Sequence, residues 1–226
     1  MCVICVKKKG VRLPTLKEVT AMWEHNPDGA GFMYARDGIL HLEKGFMKLH
    51  DLIEALNKAG ITEDDPLIIH FRISTQGGIR PEMTHPFPVH HSYKAMEVLQ
   101  ATPKVALAHN GIISRCCKTD TNLSDTALFV TKYVSELVRK PSDINRFAIK
   151  EALGSLASFN NKLALMNDKG DIALIGDFVN QGGLLYSNLY HQWTAREFNG
   201  FYNYPRKNCD KECGFTKADK LAKFRW

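Results

Sequence analysis

The chain has 226 residues, a net charge of +6 and an ordinary globular composition, with 44% hydrophobic and 24% charged residues. That length corresponds to one large domain or two small ones and can bury a sizeable core. We expect a cytoplasmic protein that does not bind membranes. No apolar run reaches the roughly 18 residues of a membrane span, and three lysines follow the first apolar residues, the reverse of a secretory signal.

Hydrophobic periodicity and turn residues predict alternating strands and helices. In chain order they are a strand at 2–6, a helix at 16–25, a hairpin of strands 32–36 and 39–43, a helix at 48–59, strands at 67–73 and 104–108, helices at 124–139 and 142–153, a hairpin of strands 162–166 and 172–175, and a strand at 183–187. The first helix opens with a capping box at Thr15 and Glu18, and Ser142 and Gly154 are the expected start and stop of the last. Hairpins and paired helices favour a layered α+β fold with mainly antiparallel sheets.

The chain shows no linker before about residue 195, so we expect one domain over residues 1–195. Residues 196–226 form a basic, aromatic extension that is either part of the same unit or a tail. A solvated C-terminal element is the simpler interpretation, and contact with nucleic acid or an acidic partner is the alternative. Cys209 and Cys213 lack a second Cys or His pair at metal spacing, so we expect no metal site.

Cys2 follows Met1 directly, and removal of Met1 would give one residue both a thiol and a free α-amine. An α-amine has a pKa of about 7.7–8.0, close to working pH, so it can act as the base for the adjacent thiol. A nucleophile with an adjacent base can attack an amide carbonyl. Taken alone, a cysteine at position 2 is more simply a small apolar residue.

Three further segments contain residues that such chemistry needs. Arg72 ends an apolar strand, where its guanidinium can bind a carboxylate in bidentate fashion or form a structural ion pair. Asn110 and Gly111 offer a side-chain amide and a backbone N–H to an oxyanion, although Asn-Gly is also a common tight turn. Asp125 begins a helix, where it either caps the helix or binds a ligand ammonium group.

The order of the motifs carries more information than any one of them. Met-Cys, Asn-Pro-Asp-Gly-x-Gly, His-x-Arg-x-x-Thr-Gln-Gly, Thr-His-Pro-Phe, His-Asn-Gly and Ser-Asp-Thr follow one another in a pattern that resembles the class II glutamine amidotransferases, which are N-terminal-nucleophile hydrolases. The resemblance covers roughly residues 2–190. The Asn-Pro-Asp-Gly and Thr-Gln-Gly variants look most like the freestanding members, which lack a fused synthase domain.

The resemblance implies a four-layer αββα sandwich and roles for several matching residues, while it leaves Asp28, Gly29, Asn161, Ser187 and Asn188 without an assigned role. Cys2 is then the nucleophile, with its α-amine as the base, and the oxyanion hole is formed by the Asn110 side chain and the Gly111 N–H. Arg72 pairs with the α-carboxylate of glutamine, and Asp125 accepts its ammonium group. Thr75 and Gln76 assist Arg72 from the loop. No metal or organic cofactor is implied.

Three functions remain open at this point. The first is a glutaminase that supplies ammonia to a separate synthase chain, and the second is a freestanding amidohydrolase acting on a small γ-glutamyl compound. The third is a catalytically silent binding protein on the same fold, suggested by Val3, which stands where many family members have glycine. Neither an ammonia acceptor nor a pathway follows from the sequence.

Overall fold

The computed structural model describes residues 1–74, 78–117 and 123–192, which form a mixed α+β fold with two antiparallel sheets. The strands are β1 (Val3–Lys7), β2 (Ala30–Arg36), β3 (Ile39–Phe46), β4 (Leu67–Phe71), β5 (Phe87–Pro88), β6 (Gln100–Ala101), β7 (Val105–Asn110), β8 (Lys162–Asn167), β9 (Ile172–Ile175), β10 (Val179–Gln181) and β11 (Leu184–Tyr186). The helices are α1 (Leu16–His25), α2 (Leu49–Ala59), α3 (Tyr93–Met96), α4 (Asp125–Phe129), α5 (Ser135–Leu137) and α6 (Phe147–Ala157).

The larger sheet has the strand order β10-β11-β1-β4-β2-β3-β6, and the smaller sheet has the order β5-β7-β8-β9. Each pairing is antiparallel. The prediction of an α+β fold with mainly antiparallel sheets is therefore confirmed. In the larger sheet β1 lies between β4 and β11, so the N-terminal strand is an interior strand.

Three apolar clusters hold the elements together. The first joins alternate residues of β1, such as Val3 and Cys5, to α1 and α2. The second joins the smaller sheet to α4, α6 and the segment around them. The third lies between the two sheets and contains the other residues of β1, Ile4 and Val6, with Ala106 and Ala108 of β7. Because side chains alternate along a strand, each sheet has one face against helices and one face against the other sheet.

The capping box predicted for α1 is confirmed. The backbone N–H of Glu18 donates to Thr15 Oγ1 at 3.3 Å, and the backbone N–H of Thr15 donates to Glu18 Oε2 at 2.7 Å. Arg12 also binds both oxygens of Glu18, which lowers the pKa of that carboxyl to about 2. The helix therefore begins where the sequence indicated.

The prediction that Ser142 begins a helix stopped by Gly154 is wrong. Residues Pro141–Asn145 form a 3₁₀ turn, and α6 begins at Phe147 and continues through Gly154. Asp143 causes the difference, because its carboxylate accepts the backbone N–H groups of Arg139 and Lys140 at 3.1 and 2.9 Å. These bonds close a tight turn before the helix can start.

The helix predicted at 124–139 begins at the Ser124 cap but ends two residues early. It comprises α4, a π-helical stretch at Val130–Val134, and α5. The hydroxyl of Thr131 donates to the carbonyls of Ala127 and Leu128, both at 3.1 Å, and such bonds bend helices.

Several predictions lie outside the described residues. Thr75 and Gln76 are among them, as is the extension at 196–226 with Cys209 and Cys213. In the part of the chain that the structure describes, every helix is too short or too polar to cross a membrane.

Candidate active site

Strand ends from both sheets converge at one end of the molecule. By strand alternation, Cys2 points to the same side as Ile4 and Val6, into the space between the sheets. Asn110 shares that orientation with the two inward-facing alanines of β7, and Arg72 shares it with Ile68 of β4. The period of two in three strands thus directs three predicted site residues into one space.

The thiol of Cys2 is held against the end of β4. The register pairs Val3 with Phe71, so Cys2 lies across from Arg72. The Cys2 thiol donates to the carbonyl of Ile73 and accepts from its N–H, both at 3.4 Å. The sulfur of Cys2 is therefore fixed by backbone groups and does not rotate freely.

The surroundings of Cys2 keep its thiol protonated at rest. Burial is the largest influence and raises the pKa of the Cys2 thiol. The N–H of Ile73, the N-terminal ammonium group and the guanidinium of Arg72 act in the opposite direction, whereas the carboxylate of Asp125 adds to the rise. A base must take the thiol proton before this sulfur becomes a good nucleophile.

Arg72 is a buried cation, with 3% of its surface exposed. Its backbone N–H donates to the carbonyl of Gly29 at 2.8 Å, and its own carbonyl accepts the N–H of Asp28 at 3.0 Å. Its Nη1 donates to the carbonyl of Gly78 at 2.7 Å. Burial lowers the pKa of Arg72, but an arginine remains charged at any ordinary pH. The backbone of Arg72 is thus fixed between Cys2 and the loop at residues 26–29, which joins α1 to β2.

The loop at residues 26–29 holds the Arg72 segment in place. The Asp28 carboxylate accepts the backbone N–H of Ser74 at 2.9 Å, which holds the chain just beyond Arg72. Gly29 has a φ of +115°, and a Cβ there would lie 2.7 Å from Cγ2 of Thr84. The sequence assigned these two loop residues no catalytic role, and their contacts explain them as positioning groups.

Asp125 is a buried anion at the start of α4. The Ser124 hydroxyl caps the helix by accepting the N–H of Ala127 at 3.2 Å. Asp125 Oδ2 accepts the N–H of Ile113 at 2.7 Å, and Oδ1 accepts the N–H of Thr126 at 2.8 Å. A carboxylate has about four acceptor sites, so it retains capacity for a ligand ammonium group.

Asn110 and Gly111 end β7. The Asn110 amide lies 2.9 Å from Ser187 Oγ through Nδ2, and its buried Oδ1 accepts no bond from the described residues. Gly111 has a φ of +146°, and a Cβ at this position would lie 2.2 Å from Asn161 Oδ1. Only glycine fits here, because both the backbone conformation and the space exclude a side chain.

His109 connects this strand end to the start of α4. Its Nε2 bonds to Asn161 Oδ1, and its Nδ1 bonds to the hydroxyl of Thr126, both at 2.7 Å. Asn161 Nδ2 donates to the carbonyl of Ala157, so Asn161 Oδ1 is the acceptor and His109 Nε2 carries the proton. Burial lowers the pKa of His109, so the ring is neutral and Nδ1 accepts from Thr126.

Ser187 and Asn188 are site residues to which the sequence assigned no role. The hydroxyl of Ser187 accepts the backbone N–H of Ile4 at 2.9 Å, and Asn188 Nδ2 donates to the Cys2 carbonyl at 2.7 Å. The turn after β11 therefore holds the start of β1. Serine and asparagine readily bind nearby backbone groups, so a Ser-Asn pair ending a predicted strand was the available signal.

The arrangement brings most of the predicted site residues together. Arg72 and Asp125 both interact electrostatically with Cys2 and with each other. Asn110 reaches the same strand through Ser187 and Ile4. Within the described ranges, no group of three or more His, Cys, Asp or Glu side chains is placed to hold a metal ion.

A thiol, a buried cation, a buried anion and an amide thus lie near one another at this end of the two sheets. A functional conclusion must come from this geometry, because no model of a protein family matches the chain and the curated proteins include no significant match.

Proposed function

We propose that the protein hydrolyses the side-chain amide of glutamine, with Cys2 as the nucleophile after Met1 is removed. The observation that carries the proposal is the pair of opposite buried charges, Arg72 and Asp125, that acts on the Cys2 thiol. A free α-amino acid has a carboxylate and an ammonium group on one carbon. Such a pair therefore matches the amino-acid end of the substrate and leaves its side chain to reach the thiol.

The charges also favour a free amino acid over a peptide. A peptide bond would neutralise the ammonium or the carboxylate, and the substrate would then lose its attraction to one of the two buried charges. The site therefore discriminates against such substrates. A γ-glutamyl amide keeps both charges and is the closest competing substrate.

The reaction follows from the groups around Cys2. The α-amine takes the thiol proton, and the thiolate adds to the amide carbon to form a tetrahedral oxyanion. The Asn110 side chain and the Gly111 N–H stabilise that oxyanion. The C–N bond then breaks, and the amine returns the proton to the departing ammonia. Water attacks the resulting γ-glutamyl thioester, which releases glutamate and restores the thiol.

The fold that goes with this proposal is the four-layer αββα sandwich of N-terminal-nucleophile hydrolases. Its support is the packing of helices on one face of each sheet and of the remaining faces on each other. The interior position of β1 is consistent with an N-terminal residue at the end of the inter-sheet layer. We further propose that the released ammonia serves a separate synthase chain, as the family resemblance implies.

The test measures ammonia and glutamate release from glutamine, a γ-glutamyl amine and asparagine. Wild-type protein should turn over glutamine, whereas the Cys2→Ala variant should be inactive. Cys5→Ala is the matched control, because Cys5 lies in the same strand but packs toward the helices. It should retain activity within about twofold. Persistent turnover in the Cys2→Ala variant would refute the mechanism, and turnover of the γ-glutamyl amine alone would favour the amidohydrolase alternative.

A further inference from the structure

Ser187 occupies an unusual position between the nucleophile strand and the amide of Asn110. It is fully buried and follows β11, with its side chain in the inter-sheet space. Its hydroxyl oxygen accepts the backbone N–H of Ile4 at 2.9 Å and lies 2.9 Å from the terminal amide of Asn110. One hydroxyl therefore contacts both the strand of Cys2 and the side chain proposed to stabilise the oxyanion.

The donors and acceptors at this contact favour one orientation of the Asn110 amide. The N–H of Ile4 can only donate, so the Ser187 oxygen accepts that bond and its O–H needs an acceptor. With Nδ2 toward Ser187, the buried Oδ1 of Asn110 receives no bond from the described residues, and the hydroxyl proton has no acceptor among them. Two complementary groups would then be left unsatisfied within one small space, which is costly.

Rotation of the amide by half a turn gives a partner to both the Ser187 hydroxyl and Asn110 Oδ1, and it leaves the two amide N–H donors to be accepted by the proposed oxyanion. The Ser187 hydroxyl then donates to Asn110 Oδ1, and the two N–H donors of the amide point to the place that Oδ1 vacates. The nitrogen and oxygen of an amide have nearly the same shape, so hydrogen bonds decide between the two orientations.

We propose that Ser187 is a positioning residue that donates to Asn110 Oδ1 and so presents the Asn110 NH₂ group to the oxyanion. The kinetic part of this inference rests on the proposed function. The same turn also fixes the nucleophile, because Asn188 donates to the carbonyl of Cys2 and Lys162 Nζ donates to the carbonyl of Ser187. One turn therefore sets the spacing between the sulfur and the oxyanion donor.

The first experiment uses neutron diffraction from crystals of the wild-type protein in deuterated buffer. Deuterium density on the Ser187 hydroxyl directed at Asn110, with two deuterons on the distal amide atom, is the expected result. Deuterons on the amide atom that faces Ser187 would overturn the proposal. This measurement needs no turnover, so it decides the orientation even if glutamine is not the substrate.

The second experiment is a double-mutant cycle with Ser187→Ala and Asn110→Ala. Loss of the orienting hydrogen bond should lower kcat by about tenfold and leave KM for glutamine within about twofold. In the Asn110→Ala background, Ser187→Ala should cause no further loss. A tenfold loss in both backgrounds, or in neither, would contradict a role through Asn110.

Thr131→Val is the matched control, since it also removes a buried hydroxyl, but one bonded only to helix carbonyls. Its kcat should equal that of the wild type. If wild-type protein shows no turnover of any substrate, the proposed function fails, but neutron diffraction still tests whether Ser187 donates to Asn110. If Ser187→Ala does not fold, neutron diffraction from the wild-type protein provides the test.

Discussion

Replacing Gly111 with alanine tests whether the loop after β7, which carries the proposed oxyanion donors, is as tightly constrained as its surroundings indicate. The new Cβ would lie 2.2 Å from Asn161 Oδ1, 2.9 Å from Asn161 Cγ and 3.0 Å from His109 Nε2. Distances this short cannot persist, so either the loop or Asn161 must move. Asn161 is held by its own bond to the carbonyl of Ala157, so its movement breaks the buried contact with His109.

Two costs determine how much stability Gly111→Ala loses. The φ of +146° is a conformation that side chains rarely adopt, which costs roughly 1–3 kcal/mol. A broken buried hydrogen bond between His109 and Asn161 costs roughly 1–3 kcal/mol more. We therefore expect Gly111→Ala to lower the free energy of unfolding by roughly 2–6 kcal/mol. The displaced N–H should also reduce kcat about a hundredfold or more.

Urea unfolding and glutaminase kinetics measure the two effects, with Gly10→Ala as the control. Gly10 also has a positive φ, of +76°, but a Cβ there would meet nothing within 4 Å. Gly10→Ala thus reports the backbone cost alone, about 1–2 kcal/mol, with kcat unchanged. If both variants lose the same stability, the reasoning about the Asn161 contact is wrong.

The remaining predictions concern charge, pH and the buried polar links. Arg72→Lys keeps the cation but loses the bidentate fork, so KM for glutamine should rise about tenfold with kcat nearly constant, and an unchanged KM would contradict the carboxylate role. Burial lowers the pKa of His70 to about 3 and also lowers the pKa of His85 and His109, so these rings are neutral when folded and protonate below about pH 6.5 when unfolded. The stability that these neutral rings allow is therefore fully present above about pH 6.5. Below that pH each ring lowers the free energy of unfolding by about 1.4 kcal/mol per pH unit, because the unfolded chain binds the extra proton. A urea midpoint that stays flat between about pH 6.5 and 5 would refute this assignment. Thr126→Val leaves His109 Nδ1 without its hydroxyl partner and should cost about 1–3 kcal/mol in thermal unfolding, whereas an unchanged midpoint would show that the link contributes nothing.

The main elements were predictable wherever local signals and tertiary packing agree. The capping box of α1 and the hairpin turn after Arg36 combine turn chemistry with apolar periodicity, and both form as expected. The start of α6 was not predictable, because the Asp143 carboxylate competes for backbone N–H groups and no periodicity reports that competition. The two-residue strands β5 and β6 are too short to show a pattern at all.

The convergence of Cys2, Arg72 and Asn110 follows in part from the period of two along their strands. The sequence motifs named these residues, but only the register of β1 with β4 and the bond between Asn110 and Ser187 show that their strands end at the same place. The contacts of Ser187 could not be predicted from the sequence, because its partners Ile4 and Asn110 lie 183 and 77 positions before it in the chain. Long-range contacts of this kind leave no local trace in the sequence.

Intact-mass measurement after treatment with an electrophilic glutamine analogue tests whether Cys2 becomes the N-terminal residue and acts as the nucleophile. The reagent carries a reactive carbon in place of the side-chain amide, and peptide mapping locates the adduct. We expect a protein that lacks Met1 and carries one adduct, on Cys2. A protein that hydrolyses glutamine while retaining Met1, or an adduct on a different residue, would contradict this expectation.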